Sequence, residues 1–234
     1  MKKVLLLGAS GFLGAYVLGA LKKKDFDIYA IQNKKEIKGI SSDKIIRGGI
    51  GAVNLQLIDD LKPDILIHTA RPVMPGFKKW GRKLSAIKAA YLNKRLLDHL
   101  SKSASRPALI FASGSLMYGN SPTPHDEDSP LNPISFARQY YRGELPIIEA
   151  AHSHNYPLKI FRLPWLLGAG SWFEWFYINN IIQRKSLPAF GNLYNKMEII
   201  DVRDAVNLMI KIALDTGDSG IFNIPSQKAI TQQQ

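Results

Sequence analysis

Along this chain, apolar positions follow two alternating spacings. Short, mostly apolar runs stand at residues 4–7, 28–31, 64–68, 107–112, 158–163 and 221–224, with a briefer one at 44–46. Runs of this length, bounded by glycine, proline or polar residues, read as buried strands. Between them, residues 12–21, about 53–61, 78–101, 134–154 and 204–215 carry apolar side chains at the three- and four-residue spacing of helices packed along one face. Strand and helix signals alternate through most of the chain. That alternation predicts an α/β fold built on a doubly wound parallel sheet.

The turn between the first strand and the first helix carries the clearest chemistry. Gly8, Gly11 and Gly14 follow the run Val-Leu-Leu-Leu at three-residue spacing, with Ser10, Phe12 and Leu13 between them. A strand that turns on glycine straight into a helix leaves backbone N–H groups free at the helix N-terminus, which makes a phosphate cradle. Gly8 is expected to allow the tight turn, Gly11 the close approach of a pyrophosphate, and Gly14 the close packing of helix on strand. This is the Rossmann reading. The competing reading takes the lysine-flanked, uncharged stretch 4–21 as a signal peptide or membrane span, but four glycines and a serine interrupt it.

Composition narrows the class. The chain has 234 residues, 46% of them hydrophobic, enough to bury one α/β core. A single NAD(P)-binding Rossmann domain over 1–234 is expected, with 164–200 and 225–234 forming a small, shortened C-terminal substrate lobe that leaves the substrate side open. The absence of cysteine excludes disulfides, thiolate catalysis and cysteine-ligated metals. No targeting segment is evident, so the cytoplasm is the default and no membrane contact is expected. The net charge of +12 gathers at Lys22 to Lys24, at Lys34-Lys35, and at Lys78-Lys79 with Arg82-Lys83. Such runs are solvated helix ends, or they suit an anionic ligand.

Two further strand ends bear on the same ligand. The second strand closes in Gln32-Asn33-Lys34-Lys35, where an NAD-selective chain places an acid for the ribose hydroxyl. Asn33, Lys34 and Lys35 therefore favour NADP over NAD; a solvated basic turn is the alternative. The fourth strand runs into Thr69, Ala70 and Arg71, which are expected at the cofactor's edge, with Arg71 either pairing with phosphate or lying on the surface.

Four segments in order, Gly-Ala-Ser-Gly-Phe-Leu-Gly (8–14), Pro-Asp-Ile-Leu-Ile-His-Thr-Ala (63–70), Phe-Ala-Ser-Gly-Ser-Leu-Met-Tyr-Gly (111–119) and Ile-Ile-Asp-Val-Arg-Asp-Ala (199–205), resemble the extended short-chain dehydrogenase/reductase family, which includes nucleotide-sugar epimerases and dehydratases. The resemblance implies a Ser or Thr four residues before the tyrosine of the Tyr-Gly pair, and a Tyr-x-x-x-Lys pair on a helix. In that arrangement the lysine lowers the tyrosine pKa and the tyrosine moves a proton. This sequence departs at each member. Four before Tyr118 stands Gly114, flanked by Ser113 and Ser115. In the helix expected from Pro130 onward, alignment on Pro133 and Glu144 puts Phe136 at the tyrosine and Tyr140 at the lysine. The chain has no Tyr-x-x-x-Lys in any register.

Two readings of that site stay open. In one, catalysis is repurposed, with Ser115 and Tyr140 as proton handlers, Ser113 beside the cofactor, and an NADP-dependent oxidation, reduction or isomerisation of a small, fairly apolar substrate. In the other, Phe136 and Tyr140 only pack the helix, and the chain senses a dinucleotide or binds a partner, RNA included; salt-sensitive RNA retention would mark that case. The substrate side also departs from what the resemblance implies, since Trp165 stands where an asparagine is usual and Met197 where a diphosphate-binding arginine is. Ser171-Trp-Phe-Glu-Trp-Phe-Tyr177 concentrates aromatic area that needs a lobe core, a partner or an apolar ligand to cover it. The resemblance further implies a homodimer through helices 78–101 and 134–154. His152-x-His154 is a weak metal signal, and no metal is expected.

Overall fold

The computed structural model describes residues 1–49, 51, 54–72, 78–153, 156–187, 189, 193–215, 217–226 and 228–233, with Lys78 and Lys79 described by backbone alone. Its elements follow the expected alternation: β1 (Lys2–Leu7), α1 (Phe12–Leu21), β2 (Phe26–Gln32), β3 (Ile45–Arg47), α2 (Gln56–Leu61), β4 (Ile65–His68), α3 (Lys78–Leu100), β5 (Ala108–Gly114), α4 (Arg138–His152) and β6 (Leu158–Leu163). Then come β7 (Trp165–Leu167), α5 (Asn179–Arg184), β8 (Lys196–Asp201), α6 (Val202–Asp215), β9 (Gly220–Asn223) and β10 (Ala229–Thr231). Seven strands form a parallel sheet in the order β3-β2-β1-β4-β5-β6-β9.

Two-residue alternation along each strand sends neighbours to opposite faces, and both faces are buried. On one, Val4, Leu6, Ile67 and Ile110 pack against Val17, Leu18 and Leu21 of α1 and Val206, Met209 and Ile210 of α6. On the other, Leu5, Leu66, Leu109, Leu158 and Ile160 pack against Ile58 of α2, Leu96 and Leu100 of α3, and Ile147 and Ile148 of α4. Burial on both sides is why these strands read as continuous apolar runs. α3 and α4 approach closely at Gly143, where an added Cβ would come within 2.9 Å of the Ala89 methyl, and the Asn93 side chain donates to the Gly143 carbonyl at 2.8 Å.

Two expectations need correction. The helix expected from Pro130 begins only at Arg138. Pro130 and Pro133 lack the N–H that a helix uses, and each disfavours helical backbone in the residue before it. A second, three-stranded sheet, β7 parallel to β8 and β8 antiparallel to β10, was not anticipated as a unit. Val53, His154, Pro188 and residues 190–192 lie outside the described residues.

Candidate functional site

The carboxyl ends of β1, β4, β5 and β6 share one edge of the sheet, and the buried polar residues His68, Ser113, Glu144 and Arg162 lie toward it. At the β1–α1 turn, Gly8 sits at φ +92°, and a Cβ on it would lie 2.7 Å from the Ala70 nitrogen. A Cβ on Gly14 would lie 2.0 Å from the Gly8 carbonyl oxygen. No side chain fits at either position. The Gly11 N–H donates back to the Gly8 carbonyl at 2.9 Å, closing the turn, and Thr69 pins it by donating its N–H and its hydroxyl to the Leu7 carbonyl, both at 2.9 Å. Thr69 and Ala70 are thus the floor of the turn.

Gly11 is the residue before α1, and it caps no helix N–H with a side chain; the first turn of α1 carries no acid. The uncapped helix N-terminus and its partial positive charge fit an anionic group. Ser10, Phe12 and Leu13 are half-buried and Gly11 is exposed. At the end of β2, Asn33, Lys34 and Lys35 are exposed; Gln32 Oε1 accepts the Ile37 N–H at 2.9 Å, and the Asn33 amide faces Gly49.

The corner between β5 and α4 is organised differently. Ser113 and Arg162 are register partners on β5 and β6, and both point to the α4 face. Glu144 of α4, 4% exposed, meets them there. The Ser113 hydroxyl donates to Glu144 Oε2 at 2.5 Å, and Arg162 donates to Ser113 Oγ while lying 3.5 Å from Glu144 Oε2. From the end of β4, Arg71 reaches across to donate to Glu144 Oε1 at 3.3 Å. Its guanidinium lies 4.7 Å from the centre of the Tyr140 ring, and Phe136 meets that ring edge-on. Burial pushes the Glu144 carboxyl up, against the pull of Arg71, Ser113 and Arg162, and burial lowers Arg162.

His68, the last residue of β4, is buried against Phe111 with the Asn93 side chain nearby, and among the described residues neither ring nitrogen makes a hydrogen bond of normal geometry. Burial lowers it to about 4, so it is neutral. Ser115 opens a short 3₁₀ turn after β5, and its carbonyl accepts the Tyr118 N–H. Tyr118 is buried and donates to Asn223 Oδ1 at 2.7 Å, tying this turn to β9; burial raises its phenol.

The fold therefore joins Arg71, Ser113 and Tyr140, three residues expected separately, through Glu144 and Arg162, whose part was not foreseen. A signal for the network was available. An arginine inside a strand buried on both faces requires a carboxylate, and Glu144 lies on the helix leading into that strand.

In the small lobe, the aromatic segment divides. Tyr177 is buried, Phe173 and Phe176 are half-buried against it, and Trp172 stacks on Phe176 at 4.6 Å between ring centres and leans on Trp165. Trp175 points outward, 65% exposed. The segment starts as a helix because Ser171 Oγ accepts the Glu174 N–H at 3.0 Å while Glu174 Oε2 accepts the Gly170 N–H at 2.5 Å, a variant of the capping box. The preceding loop rests on α1, with Tyr16 donating to the Ala169 carbonyl at 3.3 Å. Among the described residues no group of three metal-ligating side chains occurs, and no helix is long and apolar enough to cross a membrane.

Comparison with known proteins matches this architecture throughout. Two UDP-glucuronate 4-epimerases of Arabidopsis thaliana are each 26% identical, covering 93% and 80% of this chain and 56% and 48% of their own. The chain thus spans about half the length of the curated relatives it matches. Among solved structures, dTDP-glucose 4,6-dehydratase of Bacillus anthracis in complex with NAD aligns over 100% of this chain and 78% of its own, at TM-score 0.78 and 16% identity. UDP-glucuronic acid 4-epimerase of Bacillus cereus in complex with NAD aligns over 98% and 80%, at TM-score 0.78 and 20% identity. At such identities the likeness is one of fold. The family model described as the NAD dependent epimerase/dehydratase family matches residues 4–224, from the first buried strand to the last strand of the large sheet, and the chain belongs to that family.

Proposed function

We propose that this chain binds a nicotinamide dinucleotide at the carboxyl edge of the sheet and uses it on a small substrate held on the side of the small lobe. One observation carries the reading. The uncapped N-terminus of α1 stands behind a turn in which Gly8 and Gly14 leave no room for side chains, so backbone N–H groups can approach an anion closely there. Gly8, Ser10, Gly11, Phe12, Leu13 and Gly14 would hold the pyrophosphate, with Thr69 and Ala70 supporting the turn from below. The relatives bearing a cofactor in their names carry NAD. This chain offers Asn33, Lys34 and Lys35 at the adenosine end, and its first acid, the exposed Glu36, comes four residues past β2. We infer from this a preference for the 2′-phosphorylated dinucleotide.

When bound, the nicotinamide would supply a hydride acceptor or donor. The chain's own part is proton movement and orientation. The Ser113 hydroxyl is committed to Glu144 and Arg162, which leaves Ser115 and the Tyr140 phenol as proton handlers, the ring of Tyr140 being held under Arg71. Chromatographic analysis of products from UDP-glucuronate, dTDP-glucose and less polar alcohols and ketones, with absorbance of the reduced nicotinamide for any net oxidation or reduction, tests the proposal. Tyr140→Phe is expected to lower turnover by about 10²–10⁴; unchanged turnover removes Tyr140 from the chemistry.

A second reading, dinucleotide binding without turnover, is favoured by the closed network around Glu144, where two guanidinium groups and a hydroxyl surround one carboxylate and make no proton-transfer pair. Binding with no turnover on that panel would select it. Trp80, Leu84, Ile87 and Tyr91 form an exposed stripe along α3 at three- and four-residue spacing, which supports pairing of two copies through this helix. Tyr91→Glu is expected to give monomers in sedimentation.

A further inference from the structure

We propose that Arg47, at the end of β3, selects the 2′-phosphorylated dinucleotide by gripping its 2′-phosphate as a two-pronged donor. The role rests on the dinucleotide reading above and adds to it a residue on a third strand. With a pyrophosphate at the N-terminus of α1, the adenosine ribose falls at the end of β2. Gln32 and Arg47 are register partners there, so Arg47 stands one strand spacing, about 4.8 Å, beyond the ribose position. Side chains alternate between the two faces of a strand. Ile45 packs on the α1 side of the sheet and Ile46 on the other, which puts Arg47 on the α1 side, beside the cradle.

The two strand ends are tied into one rim. The Gly48 N–H donates to the Gln32 carbonyl at 2.8 Å. Gly49 has no side chain, and the Asn33 amide lies over it, so close that a Cβ there would come within 3.3 Å of Asn33 Oδ1. Asn33 and Arg47 thus border the same corner. Its charge is uncompensated: residues 32–49 hold five cations, Lys34, Lys35, Lys38, Lys44 and Arg47, against two acids, Glu36 and Asp43. Lys44 is taken by Asp27 at 2.7 Å, and Asp43 accepts from the Ser41 hydroxyl. The sequence has no acid between Asp43 and Asp59, so neither β3 nor the segment after it can neutralise Arg47. Chemistry separates Arg47 from the two neighbouring lysines. A guanidinium matches two phosphate oxygens with two parallel N–H groups, whereas an ammonium acts as a point charge. A side chain carried on a paired strand is also held more closely than the exposed Lys34 and Lys35, which lie in the connection beyond β2.

The test is calorimetric titration of the purified chain with NADP⁺ and NAD⁺, and with adenosine 2′,5′-bisphosphate and adenosine 5′-monophosphate. Within each pair the 2′-phosphate is the difference at the ribose, and the second pair lacks the nicotinamide. The wild-type chain is expected to hold the 2′-phosphorylated member of each pair more tightly. Arg47→Met, which keeps the apolar stem, should weaken NADP⁺ and the bisphosphate roughly 10- to 100-fold, the range for hydrogen bonds to charged groups, and leave the other two unchanged. Arg47→Lys keeps the charge without the fork and should recover only part of the loss. Thermal midpoints matching the wild type show that each variant is folded. An equal loss for all four ligands would make Arg47 structural and overturn the proposal. So would a lysine variant that binds NADP⁺ as the wild type does, or a wild-type chain that holds NAD⁺ as tightly as NADP⁺. A wild-type chain that binds none of the four removes the dinucleotide reading itself, and this role with it.

Discussion

The β1–α1 turn and the β5–α4 corner lie at the same edge of the same sheet, yet they constrain the sequence in opposite ways. The turn is made of backbone. Its geometry excludes side chains at Gly8 and Gly14, so the chemistry it offers comes from backbone groups. The corner is made of side chains. There Arg71, Ser113, Glu144 and Arg162 close on one another, and Phe136 and Tyr140 occupy the positions where the family resemblance implies tyrosine and lysine. Under the proposed function the cradle can persist while the proton-transfer groups of the corner differ, because only the cradle is a property of the backbone path.

The largest expected effects come from forcing each region out of its own logic. Gly14→Ala drives a methyl into the Gly8 carbonyl and should destabilise the protein by about 3 kcal/mol or more, read by urea unfolding, with dinucleotide binding lost. Arg162→Met leaves Glu144 buried with Arg71 as its remaining cation, at a cost of about 3–5 kcal/mol. Adding Glu144→Gln to that variant should recover part of the loss. If the second change adds a further loss instead, the network is not the pairing unit described.

His68 supplies the next effect, through pH. Its folded pKa is depressed to about 4 from 6.5, so the stability it confers is complete above 6.5 and is lost as pH falls toward 4, the unfolded chain taking up the proton first. The difference amounts to about 3 kcal/mol. Stability curves of the wild type and His68→Leu should therefore diverge between those values; parallel curves would mean that His68 is protonated, or solvated, in the folded state. The smallest effect belongs to the cradle's outer end. Lys34→Ala with Lys35→Ala should weaken NADP binding about tenfold, in line with exposed charges that each contribute about a kcal/mol or less, and leave NAD unchanged. Calorimetric titration with both dinucleotides reads the difference.

The same contrast explains what was legible in the sequence. α1 falls at Phe12–Leu21 as the spacing predicts, and the strands of the large sheet fall on the apolar runs, because both are dictated by burial along one element at a time; their order in the sheet is not written in any single run. The start of α4 was misread by several residues, although Pro130 and Pro133 carried the correction. The small sheet went unseen because β7 and β10 span three half-buried residues each, too few for a period to show. The Ser171–Glu174 cap was readable as a Ser-x-x-Glu pattern. The meeting of Arg71 with Tyr140 and Glu144 was not, since it joins the end of β4 to a helix some seventy residues on, and no local spacing encodes that.

Thermal unfolding of the purified chain with NADP⁺, NADPH, NAD⁺, NADH and no ligand bears most directly on the central claim. A ligand at a hundred times its dissociation constant adds about 2.7 kcal/mol, and at this chain length each kcal/mol moves the midpoint by roughly 2–4 °C. The account predicts a shift of about 5–11 °C with the phosphorylated dinucleotides and a smaller one with NAD⁺ and NADH. No shift with any of the four would contradict it, and the glycine turn would then be architecture without a ligand.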